Sequence, residues 1–106
     1  MRIAIVDDLA AERALLRARL ERQLQSRSVR AEICEYGSGE ALLAAQNEQR
    51  FAVIFLDIYM PGMSGMDTAR EIRRTDADCL LVFTTTSTDH ALEGFQVRAM
   101  HYLVKP

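Results

Sequence analysis

Two hydrophobic periods alternate along this chain, and each switch between them predicts a new element. Arg2–Val6 is a short apolar, β-rich run and predicts a first strand ending in Asp7-Asp8. From Ala10 to Gln25 the period becomes helical: Leu16, Leu20 and Leu24 recur every four residues, Leu15 widens the stripe, and Arg13, Arg17, Glu21 and Arg22 take the other side. Ala31–Tyr36 alternates apolar and polar, predicting a second, shorter strand near an edge. Gly37-Ser38-Gly39 is a turn, and Ser38 is placed to cap a helix over Glu40–Asn47. Phe51-Ala-Val-Ile-Phe-Leu56 is apolar throughout and runs straight into Asp57, then into the turn Pro61-Gly-Met-Ser-Gly65. Such a run predicts a third strand buried on both faces of a parallel sheet. Ser64-Gly-Met-Asp67 fits a helix-capping pattern, and the helix it opens carries Met66, Ala69 and Ile72 inward and Arg70, Glu71, Arg73 and Arg74 outward. Cys79–Phe83 is a fourth apolar run, leading into Thr84-Thr-Thr-Ser-Thr-Asp89. A helix over roughly Thr88–Phe95, weakened by Gly94, precedes a fifth strand, His101–Val104, which ends in Lys105-Pro106.

Strands alternating with helices predict βαβ units, a parallel sheet and right-handed crossovers, hence a doubly wound α/β fold. The chain stops where a fifth helix would begin, so a C-terminally truncated fragment of a longer protein is expected, with one face of the fifth strand uncovered. At 106 residues there is room for one domain, residues 1–106, with one core. A net charge of −2 does not suggest nucleic acid or a membrane surface, and no apolar run approaches the ~18 residues a spanning helix needs. The N-terminus lacks the apolar region and cleavage site of a signal peptide. Cys34 and Cys79 have no metal-type spacing and read as reduced core residues of a cytoplasmic protein.

The candidate chemistry lies at the strand ends. Strand one delivers Asp7 and Asp8, strand three Asp57, strand four Thr85 and strand five Lys105. In an open parallel sheet these ends share one edge, where such folds bind ligands. Crowded carboxylates repel, and a hard divalent cation is their natural partner. Mg²⁺ suits the set because it needs few carboxylates and keeps several waters. A lysine and a hydroxyl opposite the acids suit phosphoryl oxygens, so the arrangement suggests attack of an Asp carboxylate on phosphorus. The chain lacks G-x-x-x-x-G-K-[ST] and G-x-G-x-x-G, so nucleotide binding has no support. His90 and His101 read as surface residues, and Met60, Met63 and Met66 as turn and core packing.

Ile5-Val6-Asp7-Asp8, Phe55-Leu56-Asp57-Ile58-Tyr59-Met60-Pro61-Gly62-Met63-Ser64-Gly65, the strand-four threonine and Tyr102-Leu103-Val104-Lys105-Pro106 occur in order. On these residues the whole chain resembles a receiver domain of bacterial two-component response regulators. Asp57-Ile-Tyr-Met-Pro with Ala91-Leu-Glu-Gly-Phe95 is similar to the subclass that carries a LytTR DNA-binding output domain. The resemblance implies a flavodoxin-like sheet of order 2-1-3-4-5. It implies Asp57 as phosphoacceptor and metal ligand, Asp8 as Mg²⁺ ligand, Asp7 binding mainly through water or supporting the site, and the backbone carbonyl of Tyr59 as a further ligand. Lys105 would pair with Asp57 and then with the phosphoryl group, aimed by a cis Lys105–Pro106 bond. Thr85 would be the switch hydroxyl and Tyr102 the aromatic that follows it. Three consecutive threonines make the switch assignment depend on register; strand alternation and the subclass match favour Thr85. Thr86 stands where the family often has a smaller residue.

The implied function is a phosphorylation-controlled switch. A sensor histidine kinase would phosphorylate Asp57 with Mg²⁺, and the strand-four to strand-five face would change to control a transcriptional output. That face would also serve a homodimer, and DNA would be reached only through an output domain absent from this sequence. Catalysis would be limited to self-phosphorylation and autodephosphorylation. An Asp-nucleophile phosphatase is a rival, but such enzymes carry a second Asp two residues after the nucleophile, where this chain has Tyr59. A second rival is a pseudo-receiver that works without phosphorylation.

Overall fold

The computed structural model describes residues 1–86, 96–99 and 101–105. Five strands, β1 (Arg2–Val6), β2 (Glu32–Tyr36), β3 (Val53–Asp57), β4 (Leu80–Thr85) and β5 (His101–Val104), form one parallel sheet in the order β2-β1-β3-β4-β5. The described helices are α1 (Ala10–Ser26), α2 (Gly39–Glu48) and α3 (Gly65–Thr75). The expected helix over Thr88–Phe95, Ala91–Phe95 of the subclass match, His90 and Pro106 (with the isomer of its peptide bond) all lie outside the described residues.

Two apolar layers hold the sheet. On one side Ala4, Val6, Ile54, Leu56, Leu81 and Phe83 pack against Leu42 of α2 and Met66, Ala69 and Ile72 of α3. On the other, Ile3, Ile5 and Ile33 meet Leu16, Leu20 and Leu24 of α1. Full burial of one such side chain stabilises by about 1.5–3 kcal/mol, so the first, larger layer dominates. β3 is therefore not sealed on both faces: Ile54 and Leu56 are buried, whereas Val53 and Phe55, covered only from the α1 side, are half-buried.

Ser38 Oγ accepts from the Ala41 N–H and Ser64 Oγ from the Asp67 N–H, each at 3.1 Å, so both expected caps form. Asp67's carboxylate pairs with Arg70 at 3.2 Å. Three readings of the pattern need correction. β4 runs on through Thr84 and Thr85, because both continue the ladder to β5. Leu15 does not join the half-buried stripe of Leu16, Leu20 and Leu24 on α1; it is 50% exposed and lines a groove beside Leu103 and Val104. Arg73 does not simply face outward: its guanidinium folds back to donate to the carbonyls of Cys79, Val97 and Arg98.

Candidate functional site

β1, β3, β4 and β5 all end at the same sheet edge, and the parallel register sets what meets there. Asp57 lies opposite Thr84, Thr84 opposite Leu103, and Thr85 opposite Val104. Carboxylate oxygens of Asp7, Asp8 and Asp57 all lie within 4.8 Å of one another. Asp7 and Asp57 are buried, at 4% and 6% exposure, while Asp8 is open to solvent. Lys105 reaches in from the end of β5: its Nζ is 2.7 Å from Asp7 Oδ2, 3.7 Å from Asp57 Oδ1 and 3.9 Å from Glu12 Oε2. The lysine's nearest carboxylate is thus Asp7 rather than Asp57.

Both oxygens of Asp7 are engaged, Oδ1 by the Leu9 N–H at 3.0 Å and Oδ2 by Lys105. Asp8 and Asp57 are left better placed to offer oxygens directly to a cation. Asp57 is carried into the site by backbone as well as by register. Its neighbour Ile58 donates to Thr84 and accepts from the Gly65 N–H. Gly65 packs so closely that a Cβ there would lie 1.9 Å from the Asp57 carbonyl oxygen. Gly62 takes a φ of 74°, which suits a residue without a Cβ. The Pro61–Gly65 turn is therefore shaped around the back of Asp57.

Crowding is visible in the electrostatics. Asp57's pKa is pushed up to about 6, first by burial and then by the Asp7 charge, with a smaller push from Asp8. Lys105 and the Tyr59 N–H offset this only in part. Burial works against the Lys105 ammonium, yet its hydrogen bond to Asp7 and the charges of Asp57, Asp7 and Glu12 raise its pKa overall. Three acids against one lysine leave the site short of positive charge, the condition under which a divalent cation is favoured.

Thr85 is fully buried and Thr84 nearly so, while Thr86 is exposed. Alternation places Thr85 on the face of Phe83, and the Phe83 ring lies 6.2 Å from that of half-buried Tyr102. Thr84 faces the opposite way, into the groove lined by Leu16, Leu103 and Lys105. The Lys105 N–H donates to the Thr85 carbonyl, tying the lysine's backbone to that of the threonine. Tyr59 is 47% exposed at the rim.

Two residues near the site escaped the pattern reading. Glu12 sits in the first turn of α1, one of the acids around Lys105. Arg13 donates to the Asp7 carbonyl at 2.7 Å. Helix phase relative to Asp7-Asp8 is the signal that points to both, since the first turn of α1 must overhang the strand end that feeds it.

Comparison with known proteins settles the class. The model of the response regulator receiver domain matches residues 3–106, and the chain belongs to that family. LytT, a sensory transduction protein of Oceanobacillus iheyensis, is 39% identical over 71 residues, covering 65% of this chain and 29% of its own length. The positive alginate biosynthesis regulatory protein of Pseudomonas aeruginosa is 38% identical, covering all of this chain and 42% of its own length. The chain thus spans less than half of either relative. Among solved structures, the response regulator TrrA of Thermotoga maritima in complex with Mg²⁺-BeF has a TM-score of 0.83 at 31% identity, covering 99% of this chain and 86% of that one. TrrA has also been solved in complex with the histidine kinase ThkA, with a TM-score of 0.81 at 31% identity, covering 99% of this chain and 85% of that one. The order 2-1-3-4-5 is the expected one. No helix among the described residues is long and apolar enough to cross a membrane.

Proposed function

We propose that this chain is the phosphoacceptor switch of a two-component regulator, with Asp57 as the acceptor and Mg²⁺ as its cofactor. The observation that carries the reading is the convergence of buried Asp7 and Asp57 and solvent-open Asp8 on one sheet edge with Lys105 as the cation that meets them. Asp8, Asp57 and the Tyr59 carbonyl would hold the ion, with Asp7 acting mainly through water. When bound, Mg²⁺ supplies the charge that lets an anionic donor approach three carboxylates. An Asp57 oxygen then forms the O–P bond as the N–P bond of a kinase phosphohistidine breaks, and the departing imidazole keeps the bonding pair. Lys105 shifts from the carboxylates toward the transferred phosphoryl oxygens. Thr85 moves to the same group and Tyr102 follows, so a local change of charge biases the β4–β5 face between two arrangements.

The relatives' names support a regulatory output outside residues 1–106, and the ThkA–TrrA pair supports a sensor histidine kinase as donor. His101, Leu103 and Val104 are exposed on β5 and suit a contact between copies or with an output domain. Reaction is confined to gain and loss of the phosphoryl group on Asp57, in keeping with Tyr59 where a phosphatase would need its general acid. The working compartment on this reading is the cytoplasm.

Intact mass after acetyl phosphate and Mg²⁺ tests the assignment. A gain of one phosphoryl group is expected, absent with EDTA and absent in Asp57→Asn. Labelling retained in Asp57→Asn would overturn Asp57 as acceptor. An unlabelled but folded wild type would turn the reading to a pseudo-receiver.

A further inference from the structure

Behind the acidic edge runs a chain of alternating charges that the proposed phosphoryl chemistry does not use. Arg13 donates through one Nη to the Asp7 carbonyl at 2.7 Å and through Nε to Glu35 at 3.2 Å. Glu35 is held in turn by Arg17 at 2.7 Å, and Arg17 also grips Glu21 at 2.9 Å and the Ile33 carbonyl at 3.2 Å. Arg13 and Glu35 are only 20% and 28% exposed, so the guanidinium is fixed rather than solvated. The segment it touches needs fixing. Asp7–Leu9 must leave β1 and enter α1 in three residues, and the N-cap of α1 is Leu9, which brings no side-chain acceptor. Among the turn's other ties are the Asp7 N–H to the Tyr36 carbonyl at 3.1 Å and Asp7 Oδ1 to the Leu9 N–H. The second of these uses a carboxylate oxygen of the site itself.

We propose that Arg13, aimed by Glu35, is a positioning residue for the Asp7-Asp8 turn and sets the affinity of the acidic site for a divalent cation. Its charge alone acts the other way, since a cation behind Asp7 opposes a second one in front. The geometric grip outweighs that repulsion because only the planar fork reaches the carbonyl and the carboxylate together. Loss of such an outer partner typically weakens metal binding about 10–100-fold.

The metal arm rests on the proposed function; the backbone arm does not. Mn²⁺ binding is measured by electron paramagnetic resonance, and exchange of the hydrogen-bonded Asp7 and Leu9 amides by NMR in EDTA. The proteins are wild type, Arg13→Met, Arg13→Lys and, as a destabilised control remote from the site, Asp76→Ala. Both Arg13 variants should raise the Mn²⁺ Kd by about tenfold and speed exchange at the two amides by at least a similar factor. Asp76→Ala should do neither while folded. Tighter Mn²⁺ binding in Arg13→Met would make charge the governing effect, unchanged binding would leave Arg13 without influence on the site, and full rescue by Arg13→Lys would show that the planar fork is not needed; each would overturn the proposal. Unchanged amide exchange in Arg13→Met would overturn it by itself. A wild type that binds no Mn²⁺ would sink the proposed function, and the exchange arm would still decide the role of Arg13.

Discussion

Two aspartates in this molecule are equally shielded from solvent and behave in opposite ways. Asp57 at the carboxyl edge and Asp76, just before β4 at the amino edge, are each 6% exposed. Asp57's pKa is raised to about 6, whereas that of Asp76 is lowered. Burial pushes both upward, more strongly for Asp57, which lies deeper, and the partners widen the difference. Asp76 accepts from the backbone N–H groups of Asp78 at 2.9 Å and Cys79 at 3.0 Å, and pairs with Arg50 at 3.4 Å. Asp57 instead faces Asp7 and Asp8, with a lysine that lies nearer to Asp7. The amino edge spends its hydrogen bonds on holding a loop. The carboxyl edge leaves its acids short of partners, and so leaves work for a ligand to do.

The largest effect is expected at Asp76, whose hydrogen bonds are satisfied. Asp76→Ala strands two N–H groups, that of Cys79 being buried, and removes the acceptor that shapes the entry to β4. A loss of about 3 kcal/mol is expected from unpaired buried donors at this density, read from urea denaturation.

At the other end the sign should reverse. In metal-free protein at pH 7, Asp57→Asn should stabilise by about 1–3 kcal/mol, because it removes a carboxylate whose ionised form is disfavoured in the fold. Lys105 is not orphaned by the change, since Asp7 remains at 2.7 Å. The pH dependence follows from the raised pKa. Below the ordinary value of 3.8 the acid is protonated in folded and unfolded chains alike, and the two proteins should match. As pH rises the unfolded chain gives up its proton first, so wild type loses stability relative to the variant; the gap is complete above about 6. Asp76 has the opposite sign: its contribution is full above the unfolded value and is lost as pH falls through its lowered folded one. Saturating Mg²⁺ should favour wild type instead, because on the proposed reading the ion would bind the folded acidic site and would lack one ligand in the variant. A destabilised Asp57→Asn in EDTA would mean that the carboxylate is already well paired.

The sequence made the two edges unequally legible. The carboxyl edge could be read because strand periodicity ends each apolar run on a polar residue. A parallel sheet then has no choice but to gather Asp7, Asp8, Asp57, Thr85 and Lys105. The same logic supplied the element order and both serine caps. It missed whatever depends on side chains crossing between elements. Arg73 looked like one more solvated arginine, yet it gathers carbonyls from Cys79, Val97 and Arg98. Arg13 looked like the outer face of α1, yet it holds Asp7 from behind. A long guanidinium spans several residues of space, and periodicity says nothing about where its end arrives. Leu15 failed for a related reason: a stripe predicts a face, but not whether another element covers it.

The smallest effect sharpens why Asp76 differs from Asp57. Both have a cation nearby, so the nearby cation alone does not explain the difference. Arg50 is 62% exposed, and solvent screens its pairing with Asp76. Arg50→Ala should therefore cost under about 1 kcal/mol, the range of exposed ion pairs, and 1 M NaCl should erase most of that cost. Asp76 should keep its two backbone N–H bonds and remain ionised near neutral pH. A loss approaching that of Asp76→Ala would instead place the weight of this loop on the ion pair. The contrast between the edges would then reduce to which acid has the better cation, rather than to the two backbone donors of Asp76 against the Tyr59 N–H of Asp57.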